Sequence, residues 1–195
     1  MGTMDGLNVT DCTRCSALVE CRSQIVNGVG PEDADVLFIG EAPGAREDEG
    51  GEPFVGRSGS VLDEKLRDRG LSRADVRITN CVRCRPPENR DPTKEELGNC
   101  REYLEREIEL VDPEVIVTLG KVPSQHVLDR DVAVTNEAGS IEAVELGGAK
   151  RDVLICLHPA ATLYDRSQES TFENALDKAA TMAGSNGGQS NLGDF

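Results

Sequence analysis

The chain has 195 residues, 37% of them hydrophobic, with 20 glycines besides; that bounds it to one domain with its own core and excludes wholesale disorder. No run approaches the roughly 20 apolar residues that cross a bilayer, and the N-terminus lacks a basic-then-apolar leader, so the expectation is a soluble, cytoplasmic protein. Asp and Glu number 36 against 21 Lys and Arg, a net charge of −15 that would ordinarily exclude a nucleic-acid ligand. The composition has another cause, however. The cations are 16 Arg and 5 Lys, Trp is absent and aromatics are 3%. An acidic, Lys-poor, aromatic-poor chain suits concentrated salt, where a Debye length of about 3 Å at 1 M screens surface repulsion. We read the source as halophilic, and the net charge then says little about the ligand.

Along the chain, strands alternate with helices. Residues 35–40 are an apolar run closed by glycine, a buried strand. Residues 58–69 read as a helix with Val61, Leu62 and Leu66 inward and Gly70 as its stop. Residues 76–79 are a second strand. Thr93 and Glu96 form a capping box that opens a long helix, with Leu97, Cys100, Leu104, Ile108 and Val111 on one buried stripe. Residues 115–119 are a third strand and 121–128 a short helix. Residues 131–148 are ambiguous, with room for a β-hairpin. Residues 153–157 are a fourth strand, and 170–182 close the domain as a helix. The pattern predicts an α/β fold, a parallel central sheet flanked by helices on both faces. The domain spans 1–183; residues 184–195, rich in Gly, Ser and Asn, read as a flexible tail.

In such sheets ligands bind beyond the carboxyl ends of the strands. The residues there are Glu41–Gly44, Asn80, Gly120 with Lys121, and His158 with Pro159. An acid, an amide, a phosphate-friendly turn and an imidazole therefore share one rim. His126 lies inside a helix and reads as structural. His158 ends a strand and precedes Pro159, which keeps its backbone extended and favours a functional role. Phe54, between two loop glycines, is placed to stack on a planar ligand.

Seven cysteines fit no even disulfide framework. Two C-x-x-C pairs stand out, Cys12 with Cys15 and Cys81 with Cys84. Spacing alone reads these as a four-thiolate zinc site.

Taken in order, residues 40–44 (GEAPG), 53–56 (PFVG), Thr79–Asn80, 84–90 (CRPPENR) and 158–160 (HPA) resemble the family 4, iron–sulfur uracil-DNA glycosylases. The resemblance runs from about Cys12 to about residue 180 and implies a three-layer α/β/α fold and excision of a uracil flipped out of DNA. It implies that Phe54 stacks on uracil and that Asn80 reads its edge, accepting from N3–H and donating to O4, which requires the amide to be held unflipped. His158 would donate to O2 as charge develops on the leaving base. The most familiar superfamily branch has Asp where this chain has Ala42; Glu41 is the matching acid to position water. Glu47 and Asn89 would form a supporting polar pair, Glu47 near uracil C5. The resemblance assigns Cys12, Cys15, Cys84 and Cys100 to a 4Fe–4S cluster, leaving Cys81 aside and Cys21 and Cys156 as free buried thiols. A non-catalytic iron–sulfur nucleic-acid-binding protein on the same scaffold is the alternative.

DNA contact must come from local charge. Arg83, Arg85 and Arg90 outweigh Glu88 in one loop, Lys121 starts a helix, and Leu163, Tyr164 and Arg166 follow His158 in the loop that enters the minor groove in this superfamily. Leu163 or Tyr164 is the wedge candidate. In the tail, Gln189, Leu192 and Phe195 resemble a sliding-clamp-binding peptide; in one 3₁₀ turn Leu192 and Phe195 would form a single apolar plug. The enzyme is otherwise expected to be a monomer.

Overall fold

The computed structural model describes residues 2–184. Gln189, Leu192 and Phe195, and the clamp contact expected of them, lie outside the described residues.

The chain opens with an antiparallel hairpin, β1 (Gly2–Asp5) and β2 (Asn8–Cys12), followed by α1 (Ser16–Cys21). The sheet strands and their helices come next: β3 (Val36–Gly40), α2 (Ala45–Gly50), α3 (Arg57–Arg67), β4 (Arg77–Asn80), α4 (Lys94–Val111), β5 (Val115–Leu119) and α5 (Lys121–Leu128). Then follow α6 (Val134–Glu137), β6 (Ile141–Leu146), β7 (Ala149–Cys156), α7 (Ala161–Tyr164) and α8 (Glu169–Gly184). The main sheet has the order β4-β3-β5-β7-β6. Its first four strands are parallel; β6 is an antiparallel edge hairpinned to β7 through Gly147 and Gly148, both at positive φ. The ambiguous stretch 131–148 thus holds one strand and the turn of a hairpin whose other strand is β7, and also the short α6.

The sheet is covered on both faces because its strands are apolar on both. Phe38, Ile78, Val117 and Leu154 pack against Leu62 and Leu66 of α3 and Phe172 and Leu176 of α8. The intervening residues Leu37, Ile39, Ile116 and Ile155 pack against Leu104 and Ile108 of α4 and Val127 of α5. This alternation with period two gives the three layers. Phe172 is fully buried, a contribution of about 1.5–3 kcal/mol.

The ends of the helices follow their sequence signals. Thr93 accepts from the Glu96 N–H and the Glu96 carboxylate accepts from the Thr93 N–H, completing the capping box. Gly70 stops α3 at φ 72°, with the Leu71 and Gly70 N–H groups donating to the Leu66 and Arg67 carbonyls. The hairpin β1–β2, α1, α2 and α7 are additions to the expected elements.

Candidate active site

Register places the rim. Gly40 pairs with Asn80 across β3 and β4, and Leu119 with Cys156 across β5 and β7. Glu41, Asn80, Gly120 and His158 therefore emerge at one edge of the sheet. A cavity of about 290 Å³ opens there, lined by Glu41, Ala42, Gly44, Glu47, Phe54, Ser58, Asn80, Asn89 and His158. Every expected catalytic or base-reading residue is on that wall. Ser58, in the first turn of α3, is a lining residue that the sequence reading missed; a serine between an arginine and a glycine at a helix start carries no signal of its own.

Phe54 has φ 56°, a left-handed conformation that costs an aromatic residue of order 1–3 kcal/mol and so must be held. Arg73 holds it. Its guanidinium donates to the carbonyls of Pro53 and Phe54 while its Nε donates to Asp63 at 2.7 Å. Gly59 lets the Phe54 carbonyl lie against α3, where any Cβ would collide with it. Gly40 plays the same part on the other side: a Cβ there would meet both the Phe54 ring and the Asn80 amide. The ring ends 6.0 Å from the His158 ring, tilted by 33°.

Asn80 is buried, and its amide makes no hydrogen bond to another described residue. The expected brace that would keep the amide unflipped is therefore not supplied by a protein hydrogen bond. His158 is fixed differently. Its Nδ1 accepts from the Ala160 N–H at 3.2 Å, so the neutral ring carries its proton on Nε2. Burial lowers its pKa below the ordinary histidine value, which favours the neutral ring. Gly120, at φ 107°, gives the ring room: a Cβ there would lie 3.2 Å from the His158 Cβ.

Burial, and then the neighbouring Asp91 carboxylate, push the Glu41 carboxyl up to about 7. Glu47 accepts from the Gly56 N–H at 2.8 Å, tying α2 to the end of the Phe54 loop. Asn89 lines the same cavity, but its Oδ1 accepts from Arg85 Nε at 2.7 Å. Each member of the expected Glu47–Asn89 pair thus has its own partner.

The four thiols named by the family pattern meet in one apolar cluster: Cys12 at the end of β2, Cys15 before α1, Cys84 after β4, and Cys100 in α4. Cys81 points elsewhere, into the layer between sheet and α4 with Leu104 and Ile116. The set drawn from spacing alone is therefore divided, and the set with Cys100 is gathered. Arg22 Nη1 donates to Cys84 Sγ at 2.9 Å and its Nη2 to the Cys12 carbonyl at 2.7 Å; Asn99 Nδ2 donates to Cys15 Sγ at 3.4 Å. Among the described residues no three His, Cys, Asp or Glu side chains stand close enough to hold one metal ion as placed. The donor set nonetheless fits a cluster in chemistry: four sulfurs from three segments, two with N–H donors, beside a guanidinium that offsets thiolate charge. Burial pushes Cys100 up to about 11 and raises Cys15 and Cys84, so a metal bound there would have to supply the charge that ionises them. Cys156 is buried as expected; Cys21 is only half-buried.

Behind the thiols lies a buried ionic knot. Glu107, fully buried, accepts from Arg77 Nε at 2.7 Å and Arg83 Nη2 at 2.6 Å. Arg77 also donates to the carbonyls of Gly30 and Gly28, and Arg83 to Asn27, whose Oδ1 accepts from the Val9 N–H. This corrects the expected basic loop. Arg83 is 2% exposed and spent on Glu107, Arg90 pairs with Glu96, and Arg85 holds Asn89. Lys121 and Arg166 are exposed, as are Leu163 at 42% and Tyr164 at 86%.

A cavity near the small end of the ligand-pocket range, at the carboxyl rim of a parallel sheet and walled by an aromatic ring and an amide, defines a protein that holds one small planar ring. Comparison with known proteins gives the family. The Uracil DNA glycosylase superfamily matches residues 27–180. The chain is 41% identical over 180 residues to a type-4 uracil-DNA glycosylase of Archaeoglobus fulgidus, covering 90% of each. It is 43% identical over 162 residues to the type-4 protein of Thermotoga maritima, covering 83% of this chain and 82% of that one. With a type-5 uracil-DNA glycosylase of Pyrobaculum aerophilum it shares 31% over 208 residues, 90% of this chain and 91% of the other. The chain belongs to the uracil-DNA glycosylase superfamily.

Proposed function

We propose that the protein removes uracil from DNA by hydrolysis of the N-glycosidic bond, leaving an abasic site. The observation that carries this is the pairing of the unpartnered Asn80 amide with the free Nε2–H edge of His158 on a cavity faced by Phe54. A pyrimidine cannot reach that cavity from within a duplex, so it must be flipped out.

Uracil stacks on Phe54. Asn80 Oδ1 accepts from N3–H and its Nδ2 donates to O4; cytosine presents the reverse pattern. With no protein bond fixing the amide, discrimination rests on the whole pocket, and Glu47, held by Gly56, limits room at C5 against thymine's methyl group. As the glycosidic bond breaks, its electron pair passes to the base. Charge spreads to O2, where the His158 Nε2–H donates. Water adds to the sugar carbon and gives its proton to the Glu41 carboxylate; Ala42 has no group for that task. Asn89 lines the pocket beside it.

Cys12, Cys15, Cys84 and Cys100 would hold the 4Fe–4S cluster, which when bound cross-links the N-terminal segment, the loop after Asn80 and α4. Anaerobic protein should be brown; Cys100→Ala should lose the colour and Cys81→Ala keep it, and the reverse would restore the two C-x-x-C pairs as the ligand set. The acidic composition supports work in concentrated salt. The spacing of Gln189, Leu192 and Phe195 supports a clamp contact by a tail outside the catalytic domain of residues 1–183, and we read the enzyme as a monomer.

The test is incubation of the pure holoenzyme with an oligonucleotide carrying one deoxyuridine, in concentrated KCl, followed by alkali. Cleavage at uracil and not at cytosine or thymine supports the reading; intact strands at every salt concentration overturn it.

A further inference from the structure

Beside the uracil cavity lies a second groove of about 290 Å³ between α2, the start of α3 and α7. Glu47 and Ser58 line both, so the two adjoin. Arg46, Arg57, Leu163 and Tyr164 complete the groove.

The two arginines share one groove and are both unpaired, in a chain that pairs most of its cations. Acids outnumber cations 36 to 21, and most guanidiniums elsewhere are taken up by them, among them Arg69 by Asp177, Arg73 by Asp63, Arg101 by Glu105, Arg106 by Glu109 and Arg130 by Glu137; Arg67 and Arg166 are exceptions. Arg46 and Arg57 make no hydrogen bond or ion pair to any other described residue. Glu47, the acid of the groove wall, has one oxygen committed to the Gly56 N–H. Arg57 is also the first residue of α3, whose first turn carries no acid and no side-chain cap. A cation there opposes the helix dipole, an arrangement that an anion in the groove would relieve. Tyr164, 86% exposed, offers a bare aromatic face beside it.

We propose that this groove is the path of the DNA strand next to the flipped nucleotide: a flanking phosphate sits between Arg46 and Arg57, and the adjoining sugar and base lie against Tyr164. Charge complementarity and adjacency to the uracil cavity select this occupant. A phosphodiester is the anion tethered to anything that enters that cavity as part of a strand. Two free guanidiniums suit its oxygens, and the aromatic face suits a base of any sequence. The inference rests on the uracil reading and adds the strand path to it.

The test uses the holoenzyme, its Arg46→Gln, Arg57→Gln and double variants, and a single-stranded oligonucleotide with one deoxyuridine. The double variant should lose about ten- to a hundredfold in kcat/KM. Its plot of log kcat/KM against log KCl should be shallower by about 0.7, the single-strand value for one phosphate contact removed. Inhibition by free uracil, which has no phosphate, should stay at the wild-type level. A neutral methylphosphonate at a linkage flanking the deoxyuridine should slow the wild type and leave the double variant no slower. Unchanged kcat/KM and salt slope would overturn the proposal. So would an equal weakening of free-uracil inhibition, which would make the arginines part of the pocket. An equal loss on the methylphosphonate substrate in both proteins would also overturn it, leaving the groove to some other acidic partner. If the wild type excises nothing, it is the uracil reading that fails, and the strand path with it.

Discussion

In the uracil cavity, the Asn80 amide and the Nε2 edge of His158 have no partner inside the described protein. Four residues beyond Asn80, around Cys84, polar groups are tied to one another: Arg22 to Cys84, Asn99 to Cys15, Arg83 and Arg77 to Glu107. A group meant for a transient ligand must be left open, because any internal hydrogen bond would have to be broken on binding. A group that positions a permanent one gains from being braced. The contrast separates substrate chemistry from scaffold chemistry within one short stretch of chain, and it is open to attack from either side.

The braced side should give the largest effect. Glu107→Gln leaves two buried guanidiniums without a counter-charge, which should cost about 3–5 kcal/mol of stability. Chemical denaturation of the holoprotein should show it as a large fall in midpoint. A loss under 1 kcal/mol would mean that the knot is not what holds the N-terminal segment.

The open side should give a loss in rate and not in folding. His158→Ala should lower single-turnover excision by about two to three orders of magnitude, the size of one lost donor to a developing oxyanion, with an unchanged denaturation midpoint. Equal losses of stability and rate would place His158 with the braces.

The pocket was the more legible of the two regions. Glu41, Asn80 and His158 each follow a strand directly, so a strand pattern and the carboxyl-end rule put them together without knowledge of packing. Phe54 announced itself by sitting among loop glycines, though not by its positive φ. What escaped depends on contacts between distant segments. Arg83 looked like exposed loop charge because its partner, Glu107, is 24 residues away on α4. Asp48, Arg46 and Arg57 carry no signal in the sequence, since being buried and paired, or left unpaired, is a property of the neighbours. The β1–β2 hairpin, short and polar, has no hydrophobic alternation to read. β6 was half-legible, with its alternating burial hidden by an exposed Ile141.

A smaller effect concerns pH. The Glu41 carboxyl is raised to about 7 by burial and by Asp91, so its carboxylate is present above that pH and lost as pH falls through it. Burial lowers the His158 pKa from the ordinary value, which favours its neutral form as Glu41 ionises. The single-turnover rate should therefore rise about tenfold per pH unit below 7 and level off above it. Glu41→Gln should be slow and flat with pH. A wild-type profile that is already flat from pH 5 to 9 would remove Glu41 as the proton acceptor.

The smallest effect should appear where the two regions touch. Asp48 is buried, and both its carboxylate oxygens accept from the Ser23 N–H at 2.9 Å, while Gln24 Nε2 donates to its carbonyl at the same distance. Ser23 directly follows Arg22, which grips Cys84; Glu47, next to Asp48 on α2, borders the uracil cavity and holds Gly56. Asp48 thus joins the braced region to the open one, as a positioning residue and not a catalytic one. Asp48→Asn keeps the shape but weakens a charge-assisted bond, a change of about 1–2 kcal/mol. The expected result is a severalfold rise in KM for uracil DNA, little change in kcat, and full visible colour. A purely structural role would lower the denaturation midpoint and leave KM alone at temperatures well below it. Combination with Glu47→Gln decides the route. If Asp48 acts through Glu47, the double variant should be little worse than Glu47→Gln alone, whereas additive effects would show that the two residues act independently and that no strain passes from the thiol side to the pocket.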